Sequence, residues 1–172
     1  MPLTLIKETG AGLANANAYA DVADGDAYHA GHLYASAWTA ATSDQKAIAL
    51  VMATRLIDAE YQFNGTRTTD GQALQWPRAK CPEPDDSVTL PSDAVPKAVV
   101  QATCEMARAV LVEDRTANPL GEGLKFTALG SSQTTFDKSD RRPVLTQLAQ
   151  VMLAKYGSQI SAKSGAVKLV RV

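Results

Sequence analysis

Aromatic residues are scarce in this chain, at 6% of 172 positions. Proteins that hold single-stranded nucleic acid along a groove interleave stacking rings with cations, and so few rings leave no evident row of them. Cysteine is scarcer still. Cys81 and Cys104 lie far apart and neither belongs to a C-x-x-C pair, which removes support for a disulfide framework or a thiolate zinc site. No apolar run reaches the roughly 18 residues of a membrane span. The opening MPLTLIKETG lacks the basic-then-apolar build of a signal peptide, so the cytoplasm is the expected place of synthesis, with no membrane partner. There is no phosphate-binding glycine loop and no G-x-S-x-G elbow. His29 and His32 stand i, i+3 near Asp21, Asp24 and Asp26, but DVADGDAYHAGH lacks the alternating acids and closing glutamate of a calcium loop. Acidic side chains also belong at a helix start on electrostatic grounds. Both histidines read as surface residues, and no enzyme activity, metal or cofactor is expected.

Basic charge is missing from most of the chain as well. Residues 1–137 hold 10 Lys and Arg against 17 Asp and Glu, whereas residues 138–172 hold 7 against Asp140 alone. That segregation suits a solvated basic tail, an end that meets acidic surface on another molecule, or an end that meets nucleic acid.

What is present is helical periodicity. Asp21 stands where it would cap a short helix running to about Gly31. Thr42 and Gln45 have capping-box spacing before KAIALVMATRLIDAEY, where Ile48, Val51, Met52, Leu56 and Ala59 recur at helical intervals. Another helix is predicted after Asp93, with Pro96 in its first turn and Val99, Ala102, Met106 and Val110 on its stripe, ending near Arg115. Apolar residues off the main stripes, among them Leu50, Ile57, Val100 and Leu111, call for a second buried face. LKFTAL and QTTFD flank Gly130-Ser131-Ser132 and predict a hairpin, which is marginal when alone. A last helix is predicted from Pro143, with Leu145, Leu148 and Met152 on its stripe and a stop at Gly157. The final AVKLVRV alternates apolar and basic residues as a strand would, and a neighbouring chain would complete it.

Between the two longer helices, residues 62–95 carry no secondary-structure pattern. Loops of that length need an anchor. Trp76, in QALQWPR, is placed to supply it: Pro77 biases Trp76 toward extended backbone, the indole turns into a groove, and Arg78 pairs with Asp58 or Glu60. Trp76-Pro77-Arg78 therefore reads as an intramolecular clamp, with an intermolecular contact as the alternative.

The order of these segments resembles the head-to-tail connector, or adaptor, proteins of tailed bacteriophages, whose sequences also carry the label DnaT-like single-stranded DNA-binding protein. The resemblance runs from NAYADVADGDAYHA through ATSDQKAIALVMATRLIDAEYQFNG, QALQWPR and LPSDAVPKAVVQATCEMA to the hairpin and GAVKLVRV. YASAW departs from the usual shorter link. The resemblance implies a mainly α, single connector domain: a small helical bundle over about 20–116, a hairpin over about 123–137, and a C-terminal helix and extended tail over about 143–172. It implies no catalysis. It implies a virion neck protein, in a ring of about twelve copies under the portal protein, with a tail or neck protein below and genomic DNA passing through without sequence specificity.

On that reading Lys125, Phe126, Thr135 and Phe136 of the hairpin face a neighbour or the tail. Portal docking falls to Arg141, Arg142, Leu145, Leu148, Met152, Lys168, Leu169 and Arg171. The alternatives are a primosome-like single-stranded DNA-binding replication protein and a tail completion protein.

Overall fold

The computed structural model describes residues 3–82, 89–117, 126–129, 132–135 and 142–160. Among them are five helices and three two-stranded antiparallel ladders, so the fold is mixed α and β, and the expected helical bundle is corrected. The reason lies in the patternless segment, which folds by short pairings between chain pieces too brief to show a period of two.

Helix α1 (Val22–Ala30) starts at Asp21, whose carboxylate accepts the Asp24 N–H while Asp24 reaches back to the Asp21 N–H. The single turn α2 (Ser36–Thr39) exists to seat Trp38, 1% exposed, whose indole lies on Gly25. Any side chain at Gly25 would collide with that ring, since a Cβ there falls 2.3 Å from Cζ2. Helix α3 (Ser43–Glu60) opens on the Thr42 and Gln45 capping box and buries Leu50, Ala53, Thr54 and Ile57. The Thr54 hydroxyl bonds back to Leu50 O and also accepts the Tyr19 N–H, tying the N-terminal segment to the helix.

The chain leaves α3 directly into β1 (Tyr61–Phe63), then β2 (Thr66–Arg67) and its partner β3 (Arg78–Ala79). Helix α4 (Lys97–Val112) is shorter than the sequence predicts at both ends. Pro96 has ψ 140°, so it precedes the helix, and the residue before a proline is itself pushed out of the helical region. Glu113 is extended and closes the other end. Strands β4 (Phe126–Leu129) and β5 (Ser132–Thr135) form the expected hairpin, paired Phe126 to Thr135 and Leu129 to Ser132.

Helix α5 (Gln147–Leu153) begins at the Thr146 cap, whose hydroxyl accepts the Ala149 N–H, not at Pro143. That later start rotates the expected stripe: Leu145 is buried ahead of the helix, Ala149 and Leu153 face inward, and Leu148 is 45% exposed. Past α5 the chain does not run free. Strand β6 (Gly157–Gln159) pairs antiparallel with β1, Tyr61 opposite Gln159, and the Ile160 N–H donates to Glu60 O.

Helices α3 and α4 pack together, and α1, α2 and α5 each pack against α4. Around them one core gathers Tyr19, Trp38, Leu50, Ile57, Phe63, Trp76, Val99, Met106, Leu145 and Leu153. At about 25 cal/mol per Å² of apolar area, side chains of this size dominate what holds the fold.

Candidate nucleic-acid interface and the anchored loop

Trp76 is wholly buried. Its ring meets Phe63 edge to face at 5.6 Å and Tyr156 at 6.1 Å, so the loop is pinned onto the β1–β6 ladder. The Trp76–Pro77 peptide bond is cis. Gln72, 3% exposed, organises the approach: its carbonyl oxygen accepts the Thr68 and Thr69 N–H groups while its amide donates to Leu74 O and Pro77 O. One side chain thereby replaces a ladder, and nothing in the sequence distinguishes it from other loop glutamines.

Arg78 does not pair with Asp58 or Glu60 as the sequence reading had it. Its guanidinium donates to Asn64 O at 2.7 Å, Gly65 O at 2.7 Å and Gln75 O at 3.1 Å. Those carbonyls converge on Arg78 and have no backbone donor among the described residues, and a planar fork with five N–H groups suits them. Asp58 is occupied elsewhere, accepting from the Tyr19 hydroxyl and from the Gln75 N–H at 3.1 Å. Burial is the main reason its carboxyl rises to about 6. Burial, and then the Asp58 charge, pushes the Tyr19 phenol well above its ordinary value.

A second cluster gathers around His29 and His32, which the sequence places at the surface. His29 is 3% exposed, not a surface residue, because α4 covers that side of α1. Its Nε2 lies 3.1 Å from Cys104 O, its ring stacks on Trp38 at 4.9 Å, and its Nδ1 has no partner among the described residues. Burial holds its pKa below the usual value, so the ring is neutral at pH 7. One turn on, the His32 ring stands 6.4 Å from Tyr28 and 6.4 Å from Tyr34. The Arg108 guanidinium pairs with the buried Glu105 and also donates to Tyr34 O at 3.5 Å. The Tyr34 N–H donates to His32 Nδ1 at 3.1 Å. Leu33 and Tyr34 nevertheless project, 86% and 74% exposed. Among the described residues no group of three or more His, Cys, Asp or Glu side chains is placed to hold a metal ion.

The other residues expected at interfaces are dispersed. Phe126 lies in β4 and Thr135, exposed, at the end of β5, while Lys125 and Phe136 fall outside the described residues. So do Arg141, Lys168, Leu169 and Arg171. Arg142 pairs with Glu113, which Arg115 also holds, and Arg115 in turn donates to the carbonyls of Pro143 and Val144. Leu145 and Leu148 do not share a face: one is core, the other half open to solvent, and Met152 is half-buried. An open apolar groove of about 400 Å³ runs along the solvent side of α3, lined by Leu3, Ile48, Met52, Arg55 and Leu56.

With this surface described, comparison places the molecule. Over residues 3–172 the sequence matches the family described as "Putative DnaT-like ssDNA binding protein". The chain belongs to this family. No curated protein and no solved structure matches it. In this DnaT-like family member Lys7 is paired with Asp21 and Asp24, Lys46 with Asp26, and Arg108 with Glu105. Those cations are partly neutralised where they stand. No helix among the described residues is long and apolar enough to cross a membrane.

Proposed function

We propose that this chain is a non-catalytic subunit that binds single-stranded DNA without sequence preference, through one domain and with no cofactor. The observation that carries the reading is the family match, which spans residues 3–172. Charge supports it from the sequence side, because residues 138–172 hold 7 Lys and Arg against a single acid and would supply most of the phosphate attraction. Fluorescence anisotropy with labelled oligo(dT), titrated at low and at moderate salt, tests it. Saturable binding that weakens with salt is the expected result. Equal affinity for duplex of matched length would sink the single-strand preference.

A specific observation favours a second reading. Of the aromatic side chains described, Tyr19, Trp38, Tyr61, Phe63, Trp76 and Tyr156 are buried, which leaves few rings for bases. Core rings, exposed Ile48, Val112, Leu148 and Val151, and an acidic body suit a structural subunit that packs against copies of itself. With the sequence resemblance, this supports a phage head-to-tail adaptor: a ring of about twelve copies between portal and tail in the virion neck. Particle composition separates the two. An adaptor copurifies with tailed virions and appears as a ring in native mass spectrometry of virion extracts; a replication protein is absent from them.

A further inference from the structure

Among the described residues Tyr34 presents an exposed ring, and two half-buried rings, Tyr28 and His32, stand beside it. Tyr28, His32 and Tyr34 form a row at the C-terminal end of α1 and in the following turn, with 6.4 Å between successive ring centres. Packed aromatic pairs lie roughly 4.5–7 Å apart, so these rings touch loosely and do not cover one another. Tyr34 is the most open at 74% exposed.

Its exposure is braced. The backbone N–H of Tyr34 is held by His32 Nδ1 and its carbonyl by the Arg108 guanidinium, which is itself fixed by the buried Glu105 carboxylate. A loop tied at both ends of the peptide unit presents its ring at a defined place, and the ordering entropy that a mobile aromatic would lose on contact is already spent. Leaving a phenol and the adjacent Leu33 in water costs hydrophobic stabilisation with no return inside the fold.

We infer that the exposed Tyr34 ring, backed by His32 and Tyr28, is a stacking platform for a base of a single strand; this rests on the single-stranded DNA reading above. Every base has a π-face, so such a row is indifferent to sequence, and an arginine at its rim adds a cation for base or phosphate. Because Glu105 offsets Arg108, the row contributes stacking and little net charge. The bulk of the phosphate attraction then comes from elsewhere, which separates the two contributions experimentally: stacking barely depends on salt, and phosphate contacts depend on it steeply.

The test uses the full-length chain and labelled oligo(dT) over a series of salt concentrations. Tyr34 is exposed, so Tyr34→Ala leaves the melting temperature unchanged while weakening binding roughly 5- to 150-fold, the equivalent of one lost base stack. The slope of log affinity against log salt stays that of the wild type. Tyr34→Trp restores or tightens binding, and Leu33→Ala leaves it unchanged. A wild type that binds oligo(dT) with Tyr34→Ala equal to it would overturn the stacking face, leave the DNA reading standing, and assign the Leu33–Tyr34 knob to a protein partner. A wild type that fails to bind oligo(dT) even at low salt would overturn the DNA reading, and the stacking face with it.

Discussion

Asp58 titrates unlike a surface aspartate because it is buried. Its carboxyl titrates near 6 in the fold against an ordinary value of 3.8. The native state therefore binds a proton more readily than the unfolded chain between those values, and the stabilisation this gives is complete below about pH 4 and lost as pH rises through 6. The loss amounts to at most about 3 kcal/mol. His29 acts in the opposite sense: its depressed pKa gives stability that is present above its ordinary 6.5 and lost on acidification below it. Denaturant titrations of wild type and Asp58→Asn from pH 4 to pH 7 cancel the histidine. The wild type should lose stability relative to the variant as pH rises, and parallel curves would refute the assignment. Trp76 acts through volume instead. Trp76→Ala should cost about 3–5 kcal/mol, read as a lowered melting temperature, because the β1–β6 ladder and the loop both lose their contact. A variant that melts like wild type would mean that the indole is not what pins the loop.

Among the elements, the α1–α2 pair depends on a missing side chain. Alanine is the better helix former by about 1 kcal/mol at an interior glycine, so Gly25→Ala would stabilise an isolated α1. In the fold the new methyl meets the Trp38 ring, which is closed in by His29 on another side. Overpacking of that kind costs typically about 1–3 kcal/mol, so the net effect is destabilising. Circular dichroism melts of Gly25→Ala alone and with Trp38→Leu check this: the penalty should shrink in the double variant, since the clash is with the ring. Additive effects would place the cause elsewhere.

For the whole molecule, the β1–β6 ladder joins residues 157–160 to the end of α3 and the strand that follows it. Residues 157–160 are tied to β1 and to Glu60, so deletion of 157–172 strips a ladder from the wall that holds Trp76 and lowers the melting temperature. Deletion of 161–172 removes Lys163, Lys168 and Arg171 and leaves the residues of that ladder in place. If those cations contact single-stranded DNA, the shorter deletion lowers the salt slope by up to about 2, at roughly 0.7 per phosphate contact. An unchanged slope would remove the tail from the DNA interface. Proteolysis that begins within residues 157–160 of the intact protein would contradict the pairing itself.

Local chemistry was readable in advance. The Asp21 and Thr42 caps, the stripe of α4 and the β4–β5 hairpin each depend on residues within a few positions of one another, and sequence spacing alone determined them. The expected α3 stripe is corrected: Ile48 and Ala59 are exposed and Met52 and Leu56 only half-buried, while Leu50, Ala53, Thr54 and Ile57 join Val51 in facing the core, because a helix apolar on several sides does not show in sequence which side meets the body. The start of α5 was misread because Pro143 is permitted at a helix start, while Thr146 actually supplies the bond to an orphan N–H. What the tertiary structure alone decided joins distant segments. Strand β6 meets β1 across most of the chain, Arg78 finds carbonyls in place of a carboxylate, and His29 is covered by α4 while His32, on the same side of α1, stays half open. Such pairings depend on which surfaces arrive beside each other after packing, and a polar group takes whichever partner is left without one there.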